Sequence, residues 1–376
     1  MLKSKIGTVE AIMLILTIVV THTISSLPRE LLVSTKSATI INLIYVSIIA
    51  IFLAYLIFRL FKKFPGADII DISEFVGGKI FRNIIGVIFI LYFLTSSSIL
   101  LRNFCESLKI IYYPMTDVTF IILLFIIALC TANRLDFNAT LKTNLLILPL
   151  VFASIIFLFF SNMNKFMPQR IFPILGDGIF DTFVLGLGNI ASFGGIAYLY
   201  FLPPFLKEPE KFKKIAIVST IVTAIYLILC VASLLFMFSF FLDLNEITPL
   251  YNATRYIEFG TFFQRLESVF LLFWILAFAC YLSIVSKFAM NIFKKITNIE
   301  TKKPLIDIFG LLFFSIALIP KNYAISENFE TKIYPCLTIA ISIFMGISIL
   351  IIANLSHNKA KKNINNYNIG KELSNE

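Results

Sequence analysis

Ten long apolar runs divide this sequence, and they constrain the fold more than any other feature. They cover residues 6–33, 39–61, 84–112, 118–132, 139–160, 179–206, 215–242, 269–293, 305–319 and 333–355. A helix needs roughly 20 apolar residues to cross the hydrocarbon core of a bilayer. Hydrophobic residues make up 59% of the chain, well above the share in soluble domains. The sequence therefore predicts an all-α integral membrane protein with about ten transmembrane helices in the lipid bilayer.

Positive charge is distributed unevenly between the two sets of connections. The termini and alternate connections, with the adjoining ends of the spans, carry 22 of the 32 Lys and Arg residues, and the opposite connections carry the other 10. Basic residues concentrate on the cytoplasmic side of membrane proteins. We therefore predict that both termini are cytoplasmic. The net charge of +10 reflects this topology, and no basic surface domain indicates a nucleic-acid partner.

The spans fall into two halves of five. A Pro- and Gly-containing external connection, 161–178, separates a first five-helix repeat at 1–160 from a second at 179–355. An odd number of spans per half inverts the second half relative to the first, as in transporters built from inverted repeats. The tail, 356–376, is rich in Asn and Lys and short of apolar residues, so we expect it to be disordered.

The first span of the first half is interrupted by polar residues. Thr21, His22, Thr23 and Ser25 follow one another within a few positions, and Pro28 comes three residues after Ser25. Proline is tolerated in the first turn of a helix, and serine is a good N-cap. The pattern predicts a broken helix whose second half begins after Ser25.

The sixth span, which opens the second half, is interrupted by small residues. Its middle contains Gly186, Gly188, Asn189, Ser192, Gly194 and Gly195. Glycine costs about 1 kcal/mol relative to alanine inside a helix. Irregular backbone at membrane depth is tolerated only where it lines a buried or watered cavity. Tight helix packing through small residues is the alternative explanation. The matching interruption in the first span favours discontinuous first and sixth helices around a shared site.

The ends of the four half-helices would give this site both hydrogen-bond donors and hydrogen-bond acceptors. Free N–H groups at a helix N-terminus favour a carboxylate, and free carbonyls suit an ammonium group or a cation. We therefore expect a small zwitterion such as an amino acid. The third and eighth spans contribute further small polar side chains. The candidate ligand-binding residues are Thr21, His22, Thr23, Ser25, Ser97, Ser192, Phe193, Gly194, Gly195, Cys280 and Ser283.

Ionisable residues are scarce at the predicted breaks. His22 is one, and an ionisable residue within a membrane is by default a functional candidate. The alternative is a neutral imidazole that hydrogen-bonds across helices. Neither interrupted span carries a mid-membrane Asp or Glu, so a coupling proton or cation lacks an obvious carboxylate ligand. Arg102 and Glu106 are spaced to pair on one helix face. We find no cofactor motif, no metal pattern among the five cysteines and no catalytic constellation, and expect no enzyme.

The sharpest family signal lies at the entry to the eighth span. The sequence IEFGTFFQRLESVF at 257–270, followed by Trp274, resembles the spore germination receptor B-subunit family. These are the spore permeases of the amino acid–polyamine–organocation superfamily. Arg265 and Glu267 would anchor an external loop to the helix end, with Trp274 near the membrane interface. Shorter similarities follow in the same order at 27–28, 64–66, 102–106, 114–116 and 172–175.

The resemblance implies a fold and a function. The implied fold is the 5+5 inverted repeat of the LeuT and APC transporters. The implied function is that of a nutrient-germinant receptor subunit in the spore inner membrane, working with a larger A subunit and a lipoprotein C subunit. The family often has an acidic residue beside the sixth-span break, where this chain has Gly194 and Gly195. An ordinary amino-acid permease stays open as the alternative, although the missing carboxylate favours a sensor, which needs only a ligand-biased conformational shift.

Overall fold

The computed structural model describes residues 5–135, 137–238, 248–257, 267–299 and 303–357, and nearly all of these are helical. Six helical stretches in this part of the chain are long and apolar enough to cross a membrane, and shorter apolar helices complete the set. The helices of the first half are α1 (Thr8–Ile24), α2 (Leu27–Thr35), α3 (Thr39–Phe61), α4 (Ile69–Tyr112), α5 (Val118–Arg134) and α6 (Phe137–Ser161).

The second half begins with irregular helix and then becomes regular. Its elements are α7 (Ile179–Phe183), a 3₁₀ helix (Leu185–Phe193), α8 (Ile196–Leu199), α9 (Phe212–Met237), α10 (Pro249–Arg255), α11 (Glu267–Thr297), α12 (Lys303–Ala317) and a last helix (Tyr323–His357). Each of the ten predicted spans corresponds to one of these helices or to a broken pair. The all-α membrane fold predicted from the sequence is confirmed.

Three helices of the first half each pack along a helix of the second half. The second span (α3) packs along the seventh (α9), the third (α4) along the eighth (α11), and the fourth (α5) along the ninth (α12). The first and sixth spans meet at their ends, where the Ile6 amide donates to the Phe205 carbonyl at 2.7 Å and the Lys207 amide donates to the Ile6 carbonyl at 2.9 Å. The two halves of the chain therefore interlock instead of forming separate bundles.

The 3₁₀ helix is held in place by one buried amide from α3. Asn42 donates to the carbonyl of Thr182 at 2.7 Å and to that of Gly186 at 3.0 Å, and it accepts from Asn189 at 2.7 Å. A nine-residue 3₁₀ helix is unusually long. Carbonyls that lack a regular helical partner cannot be satisfied by lipid. Asn42 therefore supplies the hydrogen-bond donors that backbone amides would supply in a regular α-helix.

The last helix is wound unevenly and carries a polar stripe. It contains two π-helical segments, Phe329–Ile333 and Ile339–Met345. Polar residues recur every four positions along one face, at Ser326, Glu330, Tyr334, Thr338 and Ser342. In a straight α-helix such residues drift by about 40° per step. A π turn winds more slowly, with i→i+5 bonds, so the two π segments reduce the drift and keep the stripe facing the bundle.

This helix starts earlier than the sequence analysis predicted. The tenth apolar run begins at 333, whereas the helix begins at Tyr323. The side chain of Asn322 caps it by accepting from the amide of Ile325 at 3.0 Å. The ten extra residues place Glu330 inside the bundle, although the hydropathy pattern assigned it to an external connection.

Candidate functional site

The first span is broken where the sequence predicted. Helix α1 ends at Ile24, and Ser25 leaves the helical conformation with ψ at −124°. Helix α2 begins at Leu27 with Pro28 in its first turn. The predicted N-cap is wrong by one residue, because Ser26 precedes α2 while Ser25 ends α1. The hydroxyl of Ser25 is thereby free to contact another helix.

The sixth span is interrupted in a different way. Its 3₁₀ helix ends at Phe193, and Gly194 and Gly195 stay in right-handed helical conformations. Backbone hydrogen bonds between residues three apart continue across them. The Ala197 amide donates to the Gly194 carbonyl and the Tyr198 amide to the Gly195 carbonyl, both at 3.1 Å. The α-helix is discontinuous here, but the chain tightens instead of becoming extended.

A small cavity lies between these two irregular segments. Its lining includes His22 from α1, Ser192, Gly194 and Gly195 from the sixth span, and Tyr334 from the last helix. Its volume is about 10 Å³, room for about one water molecule. The structure thus brings four of the predicted ligand-binding residues around one small space.

The two glycines of the cavity permit close approach of other chain segments. A Cβ atom on Gly194 would lie 2.8 Å from the hydroxyl of Tyr334. A Cβ atom on Gly195 would lie 3.0 Å from Ile15 Cγ2. By contrast, Gly188, in the 3₁₀ helix that precedes them, has open space at its Cβ position. Side chains at the two cavity positions would collide with the walls of the cavity.

His22 contacts the aromatic rings of two tyrosines. Its ring stacks on Tyr334 with centroids 4.8 Å apart, and its Nε2 is hydrogen-bonded to the Tyr334 hydroxyl at 3.2 Å. Tyr281 of α11 meets the edge of the same imidazole at 6.1 Å. The hydroxyl of Tyr281 is in turn 3.1 Å from that of Ser97. Ser97 thus joins the site through Tyr281 and not by direct contact with the cavity.

A carboxylate lies beside the break, contrary to the sequence analysis. Glu330 is only 4% exposed, and its Oε2 accepts from the Ser25 hydroxyl at 3.1 Å and from the amide of Asn103. Its Oε1 lies 3.7 Å from His22 Nδ1. Within the described residues this oxygen has no hydrogen-bond partner. The sequence-based expectation covered only the two broken spans, and it missed this carboxylate because Glu330 belongs to the last helix.

Several predicted residues contact other parts of the bundle. Thr21 bonds back to its own helix, and the hydroxyl of Thr23 faces Tyr226 of α9 at 3.0 Å. Phe193 and Cys280 are buried but do not line the cavity. Ser283 donates to Asn133 at 2.8 Å in a separate polar cluster between α5, α6 and α11. The ligand contacts predicted for these residues stay predictions.

The motif residues at the eighth span have mixed outcomes. Arg265 lies outside the described residues, so its predicted role stays a prediction. Glu267 is the first residue of α11. Trp274 is 1% exposed and packs edge-on against Phe270, which places it inside the protein. The expected pair between Arg102 and Glu106 is confirmed, with a nitrogen–oxygen distance of 2.7 Å.

Known proteins similar to this chain share one theme. A family model described as spore germination protein matches residues 5–326. The chain is 26% identical over 327 residues to spore germination protein YndE of Bacillus subtilis (strain 168), covering 85% of this chain and 88% of that protein. It is 28% identical over 338 residues to spore germination protein A2 of the same organism, covering 85% and 87%.

A solved structure supports the fold independently. The chain resembles a Na⁺-coupled sialic acid symporter, captured in a substrate-bound outward-open state, with a TM-score of 0.62. The match covers 93% of this chain and 78% of that one, at 12% sequence identity. The similarity confirms the predicted transporter-type fold, and at this identity it bears on the fold alone.

Proposed function

Because this chain belongs to the spore permease family of spore germination proteins, we propose that it is the membrane subunit of a nutrient germinant receptor. It is an integral, multi-pass, permease-like protein. In the proposed function, a small zwitterionic germinant of the amino-acid type binds between the α1–α2 break and Gly194–Gly195. Binding then triggers germination of the spore.

One observation carries this proposal: the broken first span, the irregular sixth span and the last helix meet at one small cavity. Tyr334 closes this cavity by its contacts with Gly194 and His22. An amino acid is several times larger than the space of one water molecule, so it enters only if Tyr334 moves away. A ligand that favours the moved state shifts the conformational equilibrium of the last helix. A sensor requires only this ligand-driven shift and no transport of the ligand.

The proposed setting follows from the family. Larger A and lipoprotein C subunits are the expected partners, and the spore inner membrane is the expected location, with both termini cytoplasmic. The excess of Lys and Arg on one side supports that orientation. The movement of the last helix offers a route by which ligand binding could reach a partner subunit.

The test of this function compares the chain's two histidines. Spores that lack the chain are complemented with wild type, His22→Ala or His357→Ala, and germination with each L-amino acid is read from the fall in optical density. A lost hydrogen bond at the site costs about 1–3 kcal/mol, so His22→Ala should raise the half-effective concentration roughly 5- to 150-fold. His357, at the cytoplasmic end of the last helix, should tolerate the change. Deletion without any loss of response would refute the receptor role.

An amino-acid permease is the second candidate, and Glu330 is the observation in its favour. A buried carboxylate beside a broken helix is a common ligand for a coupling ion in transporters. The measurement is uptake of a labelled amino acid into liposomes that contain the purified chain, under an inward proton or sodium gradient. Gradient-driven uptake would favour the permease, and saturable binding without uptake would favour the receptor.

A further inference from the structure

Three backbone carbonyls in the second half of α1 have side-chain partners within the same helix. The carbonyl of Val20 accepts from the Thr23 hydroxyl at 2.7 Å. The carbonyls of Thr17 and Ile18 both accept from the Thr21 hydroxyl at 2.9 Å. The end of α1 was expected to bind the amine of a ligand. The carbonyls of Thr17, Ile18 and Val20, in the turns before this end, are instead bonded to side chains of the same helix.

The carbonyls of the sixth span are bonded in a similar way. The carbonyl of Asn189 accepts from the Ser192 hydroxyl at 2.6 Å. The carbonyls of Gly194 and Gly195 accept from amides three residues further on. The tightened backbone therefore directs these oxygens along the chain and offers an ammonium group little there.

The acceptors without a partner belong to side chains. Glu330 Oε1 and Asn103 Oδ1 are both buried, and neither has a hydrogen-bond partner in the part of the chain that the structure describes. The two side chains are joined through the Asn103 amide and Glu330 Oε2. A buried acceptor without a partner costs about 1–3 kcal/mol. Two such acceptors together indicate a position for a group that donates hydrogen bonds.

Carboxyl groups cluster around this position. Those of Glu30, Glu327 and Glu330 lie around the start of α2. Arg29 is paired with Glu327, nearer the surface. Glu30 accepts from the hydroxyl of Ser26. The N-terminus of α2, where a ligand's carboxylate was expected, is thus already faced by carboxylates of the protein itself.

We infer that Glu330 is the counter-ion for a positively charged nitrogen of the ligand, so that the site selects molecules with an ammonium group. This inference rests on the proposed function and assigns the amine to a side chain instead of to backbone carbonyls. His22 lines the cavity and lies 3.7 Å from Glu330 Oε1. A rotation of the imidazole when Tyr334 leaves would expose that oxygen to the enlarged cavity.

Glu330→Gln tests the charge with little change in shape. The glutamine carbonyl can still accept from Ser25 and Asn103, while its amide group replaces the free oxygen. Glu327→Gln is the matched control, because Glu327 lies on the same helix three residues earlier and is paired with Arg29. Both variants are made in the full chain, and their unliganded melting temperatures are compared with that of wild type.

The probes separate the two charged ends of the ligand. The twenty standard L-amino acids are first screened for thermal stabilisation of the purified wild-type chain. Each amino acid that stabilises it is then compared with its decarboxylated amine and with its deaminated carboxylate. A hydrogen bond to a charged group is worth more than a neutral one, so Glu330→Gln should raise the Kd of the amino acid and of the amine about 10- to 100-fold. Glu327→Gln should change either value less than about twofold.

The outcomes distinguish the inference from the proposed function. If an amino acid stabilises wild type but binds Glu330→Gln equally well, Glu330 is not the counter-ion, and the proposed receptor function is unaffected. If Glu330→Gln does not fold, the wild-type comparison decides: equal affinity for the amino acid and its deaminated analogue overturns the inference, and loss of affinity on deamination supports it. If no amino acid stabilises wild type, the proposed function fails and the inference fails with it.

Discussion

Asn42→Leu should destabilise the protein more than any conservative change on the exposed face of α3. Asn42 is completely buried and makes three hydrogen bonds, to Thr182, Gly186 and Asn189. Leucine cannot donate or accept hydrogen bonds, so the carbonyls of Thr182 and Gly186 lose this donor and the Asn189 amide keeps only its bond to Ser34. An unsatisfied buried polar group costs about 1–3 kcal/mol. Because the three bonds share one side chain, we expect a total of about 2–6 kcal/mol.

The matched control is Asn354→Leu. The amide of Asn354 also donates to two carbonyls, Leu60 at 3.0 Å and Leu350 at 2.8 Å, but this residue is only partly buried. Because Asn354 is partly exposed, the loss of its two hydrogen bonds should cost less than the loss at the buried Asn42. The difference between them therefore isolates the bonds that hold the 3₁₀ helix.

The assay is thermal unfolding of the two purified variants under identical conditions. For domains of 150–250 residues, 1 kcal/mol shifts the Tm by about 2–4 °C, and the shift falls with size. Asn42→Leu should therefore melt on the order of 5 °C below Asn354→Leu. Equal melting temperatures would refute the argument that Asn42 holds the irregular part of the sixth span.

Two further predictions concern topology and the cavity. A cysteine placed at Asn164 should react with a membrane-impermeant thiol reagent added outside, and one placed at Lys211 should not; the reverse pattern would overturn the predicted orientation. Gly194→Val should fill the cavity and abolish the germination response at normal protein abundance, whereas Gly188→Val, at a position with open space, should preserve it. Unchanged dose–response curves for Gly194→Val would mean that this glycine serves packing alone.

The local patterns of the sequence predict the fold well. Apolar runs, turn residues and the basic-residue bias are short-range signals, and they identify ten spans and the interruption of the first helix. The backbone conformation of the sixth span is not determined by neighbouring residues alone. Its 3₁₀ helix depends on Asn42, which lies more than a hundred residues earlier in the chain. Sequence alone therefore predicts a discontinuity there but not its shape.

The site was predicted only in part, because Glu330 was assigned to a connection. Hydropathy favoured a start at 333, since charged residues lower the average at a helix end. Two signals were nevertheless present. Asn322 is a good N-cap eleven residues earlier, and the polar residues from Ser326 to Ser342 recur every four positions. A polar stripe of that period on an otherwise apolar helix indicates a face turned toward the bundle.

Hydrogen–deuterium exchange of the purified full chain, with and without the L-amino acid that triggers germination of spores, tests the central claim most directly. Ligand bound at the break should order the segments around the cavity and slow their amide exchange. We predict that protection rises in peptides that cover 18–27, 191–196 and 330–334, with little change in the external connection at 161–178. Protection confined to that connection, with exchange at the break unaltered, would contradict a ligand site between the broken helices.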